Sequence, residues 1–398
     1  MTTPRRSSPS QEEIRRQNLG ALLRHVHMRG AASRAELTAD LGLNRSTIGA
    51  LTAELIAAGL VSEEVPKDTT RSRAGRPSLV VSPESERWYV YALSVEVDRV
   101  RAARVGLGGA ILDRREAPRE REHEAAEAAA PLAELVHDMH RHVPAESVYI
   151  GCGVAVCGMV RRADGAVRLA PHVGWEDQPF AEAMKAELRY DAPVSLGNVA
   201  DLSALAEHTR GSAAGLDNVI YLYGDVGIGA GIIAGGRRVT GHGGYGGEVG
   251  HMVVHPRGHK CGCGSQGCWE TEIGEGAIMR AAGREHLSGR DAVLAVVDAA
   301  RRGDASAQTA TRQVGDWLGF GVANLVNIFN PEMVLFGGTL RDIYLVAAAA
   351  VRSRLNGLAL PVCREHLQLR TPSLGEDAAL IGAAELAFEG LLANPLAA

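Results

Sequence analysis

A glycine- and cysteine-rich stretch at residues 246–270 places the strongest constraint on how this chain of 398 residues can fold. Three of the six cysteines, Cys261, Cys263 and Cys268, lie within eight positions, and His251 precedes the first of them by ten residues. Three thiolates and one imidazole are the ligands of a closed, tetrahedral structural zinc site. The alternative is a set of ordinary buried thiols, but a run this rich in glycine and polar residues is a poor core strand. The stretch therefore predicts a Zn²⁺ site with these four ligands.

The length suits two or three domains of roughly 100–200 residues each. No apolar run approaches the ~20 residues needed to cross a bilayer, and the first residues lack the apolar segment of a secretory signal. We therefore expect a cytoplasmic protein without a membrane partner. In that compartment thiols stay reduced, so clustered cysteines favour a metal over a disulfide.

Charge is distributed unevenly along the chain. Residues 1–80 carry 12 basic and 8 acidic side chains, a balance of +4, whereas the remainder carries 30 basic and 39 acidic ones, a balance of −9. A small basic head on a large acidic body indicates that only the head meets a polyanion.

The head carries the signals of two short helices joined by a tight turn. Ser33 and Glu36 form a capping box that begins one helix, and Gly42 ends it. Asn44 can cap the next helix, predicted over residues 45–58. A first helix precedes this pair, and the arrangement is typical of a helix-turn-helix, whose second helix enters the major groove of DNA.

A basic loop follows, between predicted wing strands at residues 60–65 and 78–81. The alternative is a three-helix interaction module with a solvated loop, but the order of capping box, glycine turn, polar first turn and basic loop favours a DNA-binding domain over residues 1–82 with operator DNA as its partner. The predicted DNA contacts are Arg34, Arg45, Ser46, Thr47, Arg71, Arg73 and Arg76.

The body alternates strand groups with helices, and it does so twice. This pattern predicts an α/β body of two similar halves, residues 83–200 and 201–398, with a cleft between them. The last helix, at residues 377–392, is expected to pack back on the first half. A helix at residues 125–143 is expected to kink or restart at Pro131.

Several motifs together resemble the ROK family, whose name joins repressors, open reading frames and sugar kinases. The four cysteine and histidine residues fall at the zinc-ligand positions of that family, and the resemblance covers nearly the whole chain. It implies an actin-like ATPase (ribonuclease H-like) duplicated body with a sugar in the cleft. Its other landmarks are Ala170-Pro-His-Val-Gly-Trp175, Asn330-Pro-Glu332, Phe336-Gly-Gly-Thr339 and Gly375-Glu-Asp-Ala-Ala-Leu-Ile-Gly382.

The resemblance also shows departures from the kinases of the family. Their Asp-x-Gly-Gly-Thr phosphate turn is replaced at residues 94–99 by a stretch with two carboxylates and no glycine. Asp225 and Val226 stand where a Gly-Thr pair is usual. The catalytic base position is Val199, which cannot accept a proton, and Asp201, two positions on, is expected to point elsewhere. The sequence therefore predicts that kinase activity is lost.

The sugar-binding positions, in contrast, are retained. Carboxylates and an amide suit the adjacent hydroxyls of a sugar. A solvated loop charge is the alternative for Glu248, and a helix cap is the alternative for Asn198. One nitrogen of His251 can bind zinc while the other faces the sugar. The positions implied by the resemblance are Asn198, Glu248, His251, Glu270 and Gly158, with His172 where many kinases have asparagine.

These features predict a sugar-responsive DNA-binding regulator, most simply a repressor of carbohydrate genes. Its expected partners are operator DNA, a sugar or sugar phosphate, and further copies of the chain in a homodimer or homotetramer. Sugar binding is expected to change closure of the cleft and, through the zinc loop, the arrangement of the heads. The alternatives are a sugar kinase with an accessory DNA-binding domain, a repressor controlled by a protein partner, and an activator.

Overall fold

The structure, a computed structural model, describes residues 10–65, 78–119 and 124–397. Its amino-terminal head contains three helices: α1 (Gln11–Arg29), α2 (Arg34–Leu41) and α3 (Arg45–Ala57). Three short strands, β1 (Ala32–Ser33), β2 (Val61–Glu64) and β3 (Val80–Pro83), form an antiparallel sheet in the order β1-β3-β2.

The predicted helix boundaries of the head are confirmed. Ser33 and Glu36 exchange both hydrogen bonds of a capping box at the start of α2. Gly42 ends that helix in a left-handed conformation with φ of 64°, and the side chain of Asn44 accepts a hydrogen bond from the Thr47 amide at the start of α3. These local signals fix the turn between α2 and α3.

The first half of the body is built on a five-stranded sheet in the order β11-β7-β4-β5-β6. A three-stranded sheet lies beside it. The strands are β4 (Trp88–Val95), β5 (Arg99–Gly106), β6 (Ile111–Pro118), β7 (Val148–Val156), β8 (Met159–Val160), β9 (Val167–Ala170), β10 (Trp175–Gln178) and β11 (Val194–Asn198). The helices are α4 (Ala125–His140), α5 (Phe180–Leu188) and α6 (Val199–Arg210).

The second half has a five-stranded sheet in the order β14-β13-β12-β15-β16. Its strands are β12 (Val219–Gly224), β13 (Ile228–Ala234), β14 (Arg237–Arg238), β15 (Met333–Gly338) and β16 (Gln368–Arg370). Its helices are α7 (Glu270–Ile273), α8 (Glu275–Ala281), α9 (Arg290–Arg301), α10 (Ala305–Phe329), α11 (Thr339–Leu358), α12 (Pro361–Arg364) and α13 (Ala378–Ala393).

The two large sheets share one topology. In each, three strands run antiparallel in sequence, and the first of the three pairs in parallel with a fourth strand, which pairs in parallel with a fifth. The repeated order confirms the predicted duplicated actin-like body. Helix α13 returns to the first half, where it packs on β4, β7 and α6.

Helix α4 differs from its prediction, because it passes Pro131 without a break. A proline inside a helix costs about 3 kcal/mol through its missing donor and its ring. Ala128, Leu132 and Val136 are fully buried along one face of this helix, and their packing on the sheet holds the helix together across the proline.

The head shares a hydrophobic core with the body. Leu19, Leu23 and Val26 of α1 belong to the same buried cluster as Phe388 and Leu392 of α13. At Gly20 the two helices come so close that an added Cβ would lie 2.6 Å from the Leu392 carbonyl oxygen. The head is therefore docked on the body through α1 and α13.

None of the helices in the described parts of the chain is long and apolar enough to cross a membrane.

Candidate functional site

The four predicted metal ligands come together at one end of the cleft. The ligand atoms of His251, Cys261, Cys263 and Cys268 all lie within 4.8 Å of one another. Sγ of Cys263 and Sγ of Cys268 are 3.7 Å apart, and Nδ1 of His251 is 3.6 Å from Sγ of Cys261. A tetrahedral ion with metal–sulfur bonds of about 2.3 Å and metal–nitrogen bonds of about 2.1 Å needs spacings of roughly 3.8 Å and 3.6 Å. The residues present fit a tetrahedral metal ion.

The loop that carries the cysteines depends on one glycine in particular. Gly267 has φ of 74°, and a Cβ there would lie 1.7 Å from the His255 carbonyl oxygen. The amides of Val254 and His255 both donate to the Gly267 carbonyl. Glycine at this position lets the strand-like segment after His251 lie against the segment that ends in Cys268.

Glu270 links the metal cluster to the cleft. Its Oε1 accepts a hydrogen bond from the Cys261 thiol at 2.7 Å and lies 3.7 Å from Nδ1 of His251. Burial and this hydrogen bond raise the pKa of the Cys261 thiol, so its proton must leave before Cys261 can bind a metal. Oε2 of Glu270 lies 4.0 Å from Nε2 of His172 on the other side.

The two ring nitrogens of His251 face in different directions. Nδ1 faces the cysteines, and Nε2 lies 4.0 Å from Oε2 of Glu248. Burial raises the pKa of Glu248, which favours its neutral form over an isolated charge. This geometry permits the predicted arrangement, in which one nitrogen binds a metal and the other faces the cleft.

Most of the hydrogen-bonding capacity of the Asn198 side chain is satisfied within the protein. Its Oδ1 accepts from the amides of Ala200 and Asp201, which caps α6, and its Nδ2 donates to the Gly158 carbonyl at 2.8 Å. The helix-cap interpretation of Asn198 therefore holds, and one N–H of Nδ2 is left for a ligand. Gly158 has φ of 156°, and a Cβ there would lie 2.5 Å from the Cβ of Ala170.

All six residues that the resemblance assigned to sugar binding line a single cavity. It lies between the two halves, and Gly158, His172, Asn198, Glu248, His251 and Glu270 line it together with Cys263. The metal cluster thus forms part of the cavity wall. Carboxylate, amide and imidazole groups converge on one volume, which is an arrangement suited to a polyhydroxylated ligand.

The position that the resemblance assigns to the catalytic base also lies in the cavity wall. Val199, which is nearly fully buried, lines the cavity at the base position. Asp201 points into a neighbouring chamber, as predicted, where its Oδ2 accepts from Arg238 at 2.9 Å. Asp225 also lines the cavity, and burial, with the charges of Glu96, Asp98 and Glu275, raises its pKa to about 6. The end of the cleft near Asp225 is therefore rich in carboxyl groups.

Only some of the predicted DNA-contacting residues are exposed on the surface. Arg45 and Ser46 are exposed at the start of α3, and Thr47 is half-buried. Arg34 instead forms a two-point ion pair with Glu63 of β2, in which its Nη2 donates to Oε2 at 2.7 Å. Arg34 can therefore meet a phosphate only if that pair opens. The predictions for Arg71, Arg73 and Arg76 lie outside the described residues.

A buried polar cluster joins the head to the body, and sequence reasoning did not find it. Nε2 of His27 on α1 lies 3.1 Å from Oε2 of Glu385 on α13. Arg210, the last residue of α6, contacts Glu385 and donates to the carbonyls of His27 and Gly108, each at 2.8 Å. These residues are far apart in the chain and belong to no motif, so nothing in the sequence marks them as partners.

The repeated sheet topology, with a cleft between the halves, defines a protein of the actin-like class. A metal-ligand loop in the cleft wall and a docked amino-terminal head are additions to that body. This chain belongs to the ROK family, which matches residues 90–389.

Three relatives show how far the similarity extends. The xylose repressor of Bacillus spizizenii is 27% identical over 390 residues, 95% of this chain and 97% of the relative. A solved ROK family transcriptional regulator, a homologue of the Escherichia coli MLC protein, is 25% identical with a TM-score of 0.77 and covers 96% of this chain and 98% of its own. The glucokinase of Streptomyces coelicolor is 34% identical over 257 residues, but these make up 60% of this chain and 80% of the relative. Of the three, the two regulators match nearly the whole chain.

Proposed function

We propose that this chain is a sugar-responsive, DNA-binding transcriptional repressor without kinase activity, with Zn²⁺ bound by His251 and the three loop cysteines. The carrying observation is a cavity that keeps its sugar-facing carboxylates while Val199 occupies the position of the base. The near full-length match to regulators supports the role of the head. The proposed boundaries are 1–82 for a winged helix-turn-helix, then 83–200 and 201–398.

The test is a thermal-shift panel of sugars on the full, metal-loaded chain, followed by fluorescence anisotropy on DNA. The DNA is obtained by selection from random duplexes with the purified protein. The expected result is that one sugar both raises Tm and weakens binding to the selected duplex, and that the duplex then weakens binding of that sugar by the same factor. A protein that binds DNA but responds to no sugar supports control by a protein partner instead. A reporter gene separates repression from activation.

The absence of kinase activity has its own measurement. With any sugar of the panel, ADP formation is expected to stay at the level without sugar, because Val199 cannot take the proton of the attacking hydroxyl and a catalytic base is worth typically 10²–10⁴-fold in rate. The carboxyl groups around Asp225 also oppose binding of a triphosphate. If a sugar stimulates ADP formation, and substitution of a cavity residue such as Glu248 abolishes that stimulation, the kinase alternative holds instead.

For the head, Arg45→Ala is expected to weaken binding to the selected duplex by about 1–3 kcal/mol if Arg45 contacts a base, because it is exposed on the first turn of α3. Sugar affinity, measured by calorimetry on the same preparation, is expected to stay unchanged. Arg312→Ala, an exposed arginine on α10, is the matched control. Equal DNA affinity in Arg45→Ala and Arg312→Ala would remove α3 from the DNA interface.

The proposed homodimer or homotetramer has a candidate surface at the ends of α10 and α11. Asn327 ties the two ends together through hydrogen bonds to the backbone of Leu358 and Leu360. Large apolar side chains are exposed there, a pattern typical of a protein–protein interface. They are Ile328, Phe329, Leu358, Leu360 and Val362.

Val362 is 81% exposed, so Val362→Asp is expected to leave the fold intact while dissociating the oligomer in light scattering. DNA affinity is expected to fall with it, because two heads on neighbouring half-sites bind together. Leu287→Asp, an exposed apolar residue elsewhere, is the control. An unchanged mass for Val362→Asp would place the interface on another surface.

A further inference from the structure

We propose that the effector is an uncharged sugar and that the cleft rejects the same sugar when it carries a phosphate group. This inference rests on the proposed function and specifies the ligand of the same cavity. The cavity wall contains three carboxyl groups, those of Asp225, Glu248 and Glu270, and two imidazoles. Among the described residues, neither a lysine nor an arginine lines it. Phosphate recognition in proteins relies on such cations.

A bound metal would not supply the missing positive charge. Three thiolates contribute −3 and a divalent ion +2, so the loaded cluster would carry a net charge of about −1. Glu270 lies directly beside it, with Oε1 2.7 Å from Sγ of Cys261. The cluster therefore adds to the negative potential of the cavity.

The amino terminus of α6 also points at the cavity, but it is already capped. Oδ1 of Asn198 accepts the amides of Ala200 and Asp201 at 2.8 and 3.4 Å. Those donors would otherwise attract an anion. Because these two amide donors already bond within the protein, they are not available to a phosphate at this helix end.

Arginines lie beside the cavity: Arg119 donates to the backbone carbonyl of Val97 in its wall, and Arg290 lies near Asp225 and partly offsets its charge. Two more lie in the adjoining chamber, which shares Gly158, Asn198 and Glu248 with the cavity. Arg238 is bound there to Asp201 and Glu389, with both N–O distances 2.9 Å. Arg162 is exposed to solvent. Two arginines face Asp201, Glu248 and Glu389, so the chamber has no excess of positive charge.

The experiment is calorimetry on the metal-loaded chain with matched pairs: xylose and xylose 5-phosphate, glucose and glucose 6-phosphate, with inorganic phosphate alone as the anion control. At least one uncharged member is expected to bind, and its phosphate is expected to bind about 100-fold more weakly, since juxtaposed like charges cost several kcal/mol. In Asp225→Asn, the ratio of the affinities for the uncharged sugar and its phosphate is expected to fall by about tenfold.

Equal or tighter binding of a phosphorylated member would overturn the inference and leave the proposed function in place. Loss of that binding in Arg162→Ala would then assign the phosphate to the adjoining chamber. Silence of every sugar with a folded, metal-loaded protein would overturn both the inference and the proposed function.

A separate observation identifies residues that position the head. We infer that α6 connects the cavity to the head, with Arg210 and Glu385 as its positioning residues. The cap of α6, Asn198, lines the cavity, and its last residue, Arg210, contacts His27 of the head. The 12 residues of α6 span about 18 Å. One helix thus touches both binding regions.

Close backbone packing makes α6 move as a unit. A Cβ at Gly231 of β13 would lie 2.5 Å from the Ala200 carbonyl oxygen, and a Cβ at Gly382 of α13 would lie 1.9 Å from that of Leu202. Densely packed elements have little room to deform locally. A displacement of the helix at the cavity is therefore carried to Arg210.

The head meets the body at α6 and α13, and the relay proposed here runs through α6; the route through the zinc loop stays a prediction. Arg210→Lys keeps the charge but loses the forked set of donors. The ratio of DNA affinities without and with sugar is expected to fall at least fivefold toward 1, while sugar affinity without DNA changes less than twofold. Arg301→Lys on α9 is the matched control. As a second measurement, addition of sugar to the wild-type chain is expected to change the hydrogen exchange of α1. An unaltered ratio, or unaltered exchange in α1, would overturn the relay.

Discussion

Cys263→Ser is expected to lower the affinity of the full chain for Zn²⁺ by more than about 100-fold. Even outer-shell partners of a metal ligand are worth 10–100-fold, and Cys263 is one of the four ligand residues. Sugar affinity is expected to fall as well, because His251 and Glu270 of the cavity wall would lose the ion that fixes them. Metal content by mass spectrometry and calorimetry with the sugar measure the two effects.

Cys363→Ser provides the matched control, since Cys363 lies on α12 outside the cluster. Treatment of the wild-type chain with a chelator is expected to reproduce the loss of sugar affinity, and added Zn²⁺ to reverse it. Full metal content in Cys263→Ser, or unchanged sugar affinity after metal loss, would contradict the role assigned to the loop.

Glu385→Ala is expected to destabilise the docking of the head by about 3–5 kcal/mol, because it leaves the Arg210 guanidinium buried without its carboxylate. Glu385 is only 6% exposed and contacts both Arg210 and His27. Glu389→Ala, one turn further along α13, removes a carboxylate that is 46% exposed and is expected to cost at most about 1 kcal/mol. Hydrogen exchange in α1 measures the difference, and similar values for the two variants would contradict the assignment.

The same junction is expected to weaken in acid. Nδ1 of His27 accepts the Gly108 amide at 2.9 Å, and burial lowers the pKa of His27, which faces Glu385, Arg210 and Arg24. Because its pKa is lowered in the folded state, its stabilising contribution declines as the pH falls below 6.5. Burial raises the pKa of Glu385, but His27 and Arg210 outweigh burial and lower that pKa. The stabilising contribution of Glu385 is therefore lost as the pH falls below 4.5.

The sequence predicted most of what local chemistry determines. Ser33 and Asn44 cap α2 and α3 where the sequence signals place them, and α13 begins within one residue of its predicted start. The four residues of the candidate metal site are also recognisable, since they are close in the chain and their residue types are specific. Signals of this kind need no knowledge of the tertiary fold.

Features that depend on contacts between residues far apart in the chain could not be predicted from the sequence. The sequence predicts a kink or restart at Pro131, but burial of the surrounding side chains outweighs the local preference of proline. The sequence predicts that Arg34 contacts DNA but gives no sign of its ion pair with Glu63, which lies 29 residues away on β2. The cluster of His27, Arg210 and Glu385 joins three separate helices, so it became visible only when the chain was folded.

The shared core of α1 and α13 has a consequence for exchanging parts between relatives. A chain cut before residue 84 would uncover Phe388, Leu391 and Leu392, each worth about 1.5–3 kcal/mol when buried. A transplanted head would need a matching α13, because half of its docking surface lies on that helix, far along the sequence from α1. The modular unit of this protein is therefore the pair of α1 and α13, which must be inherited or engineered together.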